Sequence, residues 1–217
     1  MFVGRKDELQ TLSRLITLSD LNFWFYMEDV EKEYPYRENE ATSKKGKYIL
    51  ADNMFRFWYR FIFPNKRRIE IGNGLYLAEK KIFLLFSTFV GKPIFEEVTI
   101  EYMIRLSHTD AFSFFPTFYG TWWGADNEYK KATDIDILIV DDEDEKVAIF
   151  GECKWRNDFQ QHKEIEKLLD KPRLFLHLKP RLYFFTKTNL SDVEKKYAKE
   201  KKIEIVTLDD YFDLCLD

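Results

Sequence analysis

Two neighbouring apolar runs, residues 133–140 (TDIDILIV) and 147–155 (VAIFGECKW), constrain this chain more than any other feature. Each has the composition of a buried strand, and each carries charge where a buried strand should not. Asp136 sits among isoleucines, and Glu152 and Lys154 follow an apolar run. Side chains alternate across a strand, so Glu152 and Lys154 share one face and Cys153 takes the other. A hairpin through the acidic turn at 141–146 brings Asp136 beside Glu152. Two carboxylates and an ammonium then gather on one side of a sheet, the minimum for a divalent-metal phosphodiesterase site.

The remaining pattern supplies the sheet with partners. Helical spacing is expected over 6–18, 79–89 and 94–107, the last two separated by Gly91 and Pro93. A strand is expected within 111–123, a polar helix over 160–169, and a strand over 181–186. Ser191 reads as the cap of a charged helix reaching 202, and 203–208 as a closing strand. Upstream, residues 48–51 read as a strand, and Asp52 as the cap of an aromatic helix that Pro64 ends. Gly72-Asn-Gly74 marks a turn. The expected fold is α/β, a restriction-endonuclease-like core of order αβββαβ with a mixed central sheet flanked by helices. A small N-terminal helical appendage precedes it, with residues 1–76 and 77–217 as the two domains.

Composition narrows the function. At 217 residues with 18% aromatic side chains, the chain can bury a large core. A net charge of -4 does not announce nucleic-acid binding, although a local basic patch and a metal suffice for phosphate. The clusters Lys44, Lys45, Lys47 and Lys66, Arg67, Arg68 are candidates for phosphate contact, or simply solvated. Cys153 and Cys215 are too few and too scattered for a disulfide framework or a zinc site, and read as reduced thiols of a cytoplasmic protein. No apolar run is long enough to span a membrane. The three histidines lack ligand spacing, and no phosphate-cradling G-x-x-x-x-G-K-[ST] loop is present. The Trp122-Trp123 pair reads as core or sheet-edge packing, with a base-stacking platform as the alternative. Phe55, Phe57, Trp58 and Phe61 read as the interior face of a helix.

Magnesium prefers a few carboxylates with several waters, so Asp136 and Glu152 are candidate ligands of Mg²⁺ or Mn²⁺, with the Cys153 carbonyl as a further one. Lys154 would orient the attacking water or offset charge in the transition state. A further acid, Glu96 or Glu97, opens the helix ahead of the three strands, where acids also complement the helix dipole.

Four segments carry a family resemblance: FVGRKDEL (2–9), KKGKYILADNMFRFWYRF (44–61), FVGKPIFEE (89–97) and DIDI with GECKW. They resemble the AAA-superfamily ATPases of archaea and some bacteria that end in a domain of unknown function similar to PD-(D/E)XK nucleases. The likeness runs from about residue 30 onward. After the opening segment, such proteins continue into an ATPase core, which this chain passes over, so ATP binding is not expected here. The resemblance assigns Glu96 as the first-helix acid, Asp136 as the central acid, and Glu152 and Lys154 as the E-x-K. It implies nuclease-type chemistry, and with the residue set it leads to the expectation of a magnesium-dependent phosphodiesterase acting on DNA. The rival expectation is a non-catalytic nucleic-acid or protein interaction module, pairing with itself or with a full-length ATPase relative.

Overall fold

The computed structural model describes residues 30–109, 111–143 and 146–213. The helix expected over 6–18 and Cys215 lie outside the described residues. The described chain forms two compact units, Val30–Glu33 with Lys47–Ser87, and Tyr34–Gly46 with 88–213.

In the first unit, β1 (Val30–Glu33) pairs antiparallel with β2 (Lys47–Leu50). The Asp52 carboxylate then accepts the Met54 and Phe55 N–H groups at 2.7 and 3.0 Å, starting the aromatic helix as expected. Phe61 and Ile62 are its buried side chains. Pro64 does not end the helical run. It occupies the first turn of the next helical segment, Phe63–Asn65, where a missing N–H costs nothing, and Lys66–Arg68 continues beyond it. The Asn65 amide donates to the Phe61 carbonyl at 2.8 Å. Gly72 (φ 90°) makes the turn that its sequence announced.

The second unit holds α1 (Phe95–Ser107), β3 (Phe118–Asp126), β4 (Lys131–Asp141), β5 (Val147–Lys154), α2 (Gln161–Asp170), β6 (Lys179–Thr186), α3 (Asp192–Glu200), β7 (Ile203–Thr207) and α4 (Leu208–Asp213). The order α-β-β-β-α-β expected from the sequence is the order observed. One mixed sheet runs β3-β4-β5-β6-β7, antiparallel through β5 and parallel from β5 to β7. Ser191 caps α3 through the Glu194 N–H at 3.3 Å.

Helices cover both faces of this sheet. Leu138, Val140, Ala148 and Phe150 point to one core with Ile165 and Leu168 of α2, whereas Ile137, Ile139 and Ile149 point to another with Phe95 and Met103 of α1. That double burial explains why β4 and β5 are nearly continuous apolar runs rather than half-polar ones. Trp122 joins the first core, edge-on to Phe175 at 5.3 Å, and Trp123 donates its indole N–H to the Lys45 carbonyl at 3.1 Å.

Gly151 is required by packing. A Cβ there would stand 2.7 Å from the Phe185 ring and 2.8 Å from Ile137 Cβ. Gly151→Ala is therefore expected to destabilise the protein by about 2 kcal/mol or more, because a packed strand centre has no room to yield. Equilibrium urea unfolding checks this; an unchanged midpoint would contradict it.

Candidate active site

The site begins where the β4–β5 ladder stops. Pairing runs from Asp141↔Val147 to Ile137↔Gly151, and Asp136 and Glu152 are the residues just beyond its last pair. There a side chain takes over from the backbone: the Cys153 N–H donates to Asp136 Oδ2 at 3.0 Å.

A β-bulge helps to aim Asp136. Between Gly120↔Leu138 and Trp122↔Ile135, β3 advances two residues while β4 advances three. The extra residue breaks strict alternation, so Ile135 and Leu138 line the same core although they are three apart. Bulges bend a strand and redirect side chains, and this one falls on the residue that carries the acid.

The first turn of α1 contributes Glu96. Of the two acids there, Glu96 is buried and Glu97 only half-buried. Just upstream, Pro93 disfavours helical backbone at Lys92, which is extended (φ −157°, ψ 128°). The Lys92 ammonium consequently lies 2.9 Å from Glu96 Oε1, 3.3 Å from Asp136 Oδ1 and 3.2 Å from Asp134 Oδ2.

Lys154 and Glu152 form a second pair, with Nζ donating to Glu152 Oε1 at 2.5 Å. Glu164 of α2 holds the same ammonium at 3.1 Å and also binds Lys167 at 2.7 Å. Lys171 donates to the Asp134 carbonyl. The structure thus brings Asp136, Glu152, Lys154 and Glu96 to one end of the central strands. It adds Lys92, Lys171, Asp134 and Glu164, which the sequence reading did not single out. The only local signal among these was Lys92, four residues before Glu96 in the helix-opening segment GKPIFEE.

Electrostatics at this centre follow from burial and crowding. Burial, reinforced by the Asp136 charge, raises the Glu96 carboxyl to about 8 despite the neighbouring Lys92. Burial and Asp136 likewise push Glu152 upward against the pull of Lys154. For Lys154, burial lowers the ammonium's pKa, but Glu152 outweighs it and the net direction is up. Burial and Asp136 drive the Cys153 thiol well up, which disfavours the reactive thiolate.

A stability prediction follows from Glu96. Below its ordinary value of 4.5 the folded and unfolded chains both carry the proton, and the group has no effect. From there to about 8 the folded chain keeps a proton that the unfolded chain has lost, so stability falls as pH rises. Above that the cost is fully in place. In chelator, Glu96→Gln is expected to stabilise the protein at pH 9 by on the order of 1–2 kcal/mol and to leave it unchanged at pH 4. Thermal unfolding at the two pH values checks this, and equal effects at both would contradict it.

The donor set suits magnesium in one specific way. Among the described residues, no three His, Cys, Asp or Glu side chains form a ready metal cage. Asp136 and Glu96 instead share one cation, the Lys92 ammonium, while Lys154 holds Glu152 beside them. Two buried carboxylates around one positive charge are what magnesium uses when waters complete its shell.

Fold and geometry define a mixed α/β protein with a buried carboxylate–lysine centre at the end of its two central strands. More particularly, the chain belongs to the DUF234 family, described as archaea bacterial proteins of unknown function, whose profile matches residues 58–168. It is 32% identical over 179 residues to an uncharacterized protein of Methanocaldococcus jannaschii, covering 82% of this chain and 36% of that one. The chain therefore spans about a third of that relative's length. A solved structure of Can2 from Sulfobacillus thermosulfidooxidans, in complex with cyclic tetra-adenylate, is similar with a TM-score of 0.40 and 11% identity. That likeness covers 97% of this chain and 51% of Can2, and is too distant to bear on function.

Proposed function

We propose that this chain is a magnesium-dependent phosphodiesterase acting on DNA. The observation that carries the reading is the convergence of Asp136, Glu152, Lys154 and Glu96, from two strands and a helix, on one buried end of the sheet. Asp136 and Glu96, with Glu152 beside them, are the residues that would hold the ion, the Cys153 carbonyl being a further candidate. A bound magnesium would supply charge stabilisation at the scissile phosphate and a water of lowered pKa. Lys154 is steadied by two carboxylates, so its ammonium can orient the attacking water or offset developing negative charge without reorganising.

Phosphate binding has a second support in the other unit. Residues 53–87 carry Arg56, Arg60, Lys66, Arg67, Arg68, Lys80 and Lys81 against only Glu70 and Glu79. The chain's overall negative charge conceals this basic stretch, which suits a polyanion.

The test is incubation with linear and circular DNA in magnesium and in EDTA. Cleavage confined to magnesium, and absent in Asp136→Asn, is the expected result. Measurable metal binding without cleavage of any DNA would contradict the reading.

A specific observation favours a second reading, an association module. Ile71, Leu75, Tyr76 and Leu84 are between 58% and 74% exposed, more large apolar surface than one short helical stretch usually leaves open. In this reading the chain pairs with its own copy or with a longer, ATPase-bearing relative. Sedimentation across a concentration series separates the two, a monomer at all concentrations counting against self-association. Among the described residues no helix is long and apolar enough to cross a membrane.

A further inference from the structure

We propose that Lys92 is the built-in counter-ion of the metal-free centre, and that a divalent cation enters by displacing its ammonium from Glu96 and Asp136. The inference rests on the metal-dependent reading above and adds a residue to which that reading assigns no role.

Position is the first argument. The Lys92 ammonium stands 2.9 Å from Glu96 and 3.3 Å from Asp136, in the gap between the two carboxylates. A magnesium ion draws such oxygens to about 2.1 Å, and would lie far too close to a second positive charge at the same oxygens. The ammonium and the ion are therefore alternatives. Without either, two buried acids would face each other uncompensated, a strongly unfavourable arrangement.

Freedom to leave is the second argument, and it separates Lys92 from its neighbours. Its side chain is 60% exposed, whereas those of Lys154 and Lys171 are 20% and 14% exposed. Lys154 is clasped by Glu152 and Glu164, and Lys171 by the Asp134 carbonyl. Lys92 also touches Asp134, whose carboxylate is itself 57% exposed at the rim, at 3.2 Å. On leaving Glu96 and Asp136 the ammonium keeps a partner at the rim, so it is not left unpaired. Lys92 precedes Pro93 in extended backbone, outside α1.

Two measurements test this, neither of which requires turnover. Calorimetric titration of Mg²⁺ into wild type and Lys92→Met should show the variant binding about tenfold more tightly, since one competing charge is gone. Amine-reactive footprinting of the wild type should show Lys92 labelling rise several-fold on saturation with Mg²⁺, while Lys154 stays protected. The footprint uses the unaltered protein and so does not depend on the variant's folding. Binding to wild type with equal or weaker binding to Lys92→Met, or a Lys92 footprint indifferent to Mg²⁺, would overturn the displacement role and leave the phosphodiesterase reading standing. No binding to either protein would overturn both.

Discussion

Replacing Asp136 with Asn is expected to abolish magnesium-dependent DNA cleavage, lowering it by roughly 100-fold or more, while leaving the metal-free protein as stable as the wild type or more so. The two halves of this expectation come from the same carboxylate. Asp136 pairs with Lys92 and its charge acts on both Glu96 and Glu152, so it is central to any ion held there. The same charge is a liability in the metal-free fold, because it adds to burial in raising the carboxyl groups of both glutamates. Asparagine keeps an oxygen that can accept the Cys153 N–H, the bond that ends the β4–β5 ladder. It removes the repulsion from the two glutamates, at the cost of the ion pair with Lys92 and of the attraction to Lys154. Cleavage assays paired with thermal unfolding in EDTA check both halves. A large drop in melting temperature would show that Asp136 is a structural acid, and retained cleavage would show that it is not a ligand.

Lys154→Ala carries the second large effect, and here stability and catalysis should fall together. The ammonium lies between Glu152 and Glu164, with its side chain only 20% exposed. Removing one partner of a buried pair typically costs about 3–5 kcal/mol, because the other charge stays buried and uncompensated. Glu152 is the group left in that state. Adding Glu152→Gln to Lys154→Ala should therefore recover much of the lost stability, giving a double-mutant coupling of more than about 1 kcal/mol. It should not recover cleavage, which is expected to fall by about 100- to 1,000-fold in either variant. Strictly additive stability effects would mean that the short Glu152–Lys154 contact contributes little. Full cleavage by Lys154→Ala would remove Lys154 from the mechanism.

The legible parts of the structure were those that local chemistry dictates. Asp52 caps its helix, Pro93 breaks the chain ahead of α1, and the apolar runs at 133–140 and 147–155 pair as antiparallel strands whose ladder ends at Ile137↔Gly151, next to Asp136 and Glu152. Each of these follows from a propensity or a periodicity contained within a few residues. Pro64 misled because a proline that ends one helical segment can open the next without a break. The bulge at 135–138 was not legible, since it is a mismatch of register between β4 and β3 and exists only once they pair. Lys92, Lys171 and Glu164 were hidden for the same reason. Lys171 and Glu164 look like solvated surface charges in their own segments and acquire meaning from a carboxylate or ammonium at least ten residues away, while Lys92, four residues before Glu96, meets Asp136 only in the fold. A buried acid can be read from sequence, but the cations that balance it generally cannot.

The central claim, that these acids form a metal centre, is tested most directly by calorimetric titration of Mg²⁺ and Mn²⁺ into the wild type and into Asp136→Asn/Glu152→Gln. Saturable binding to the wild type that disappears in the double variant is the predicted result. Identical heats from the two proteins would contradict the claim, and would make the buried acids and their lysines a structural network of the fold.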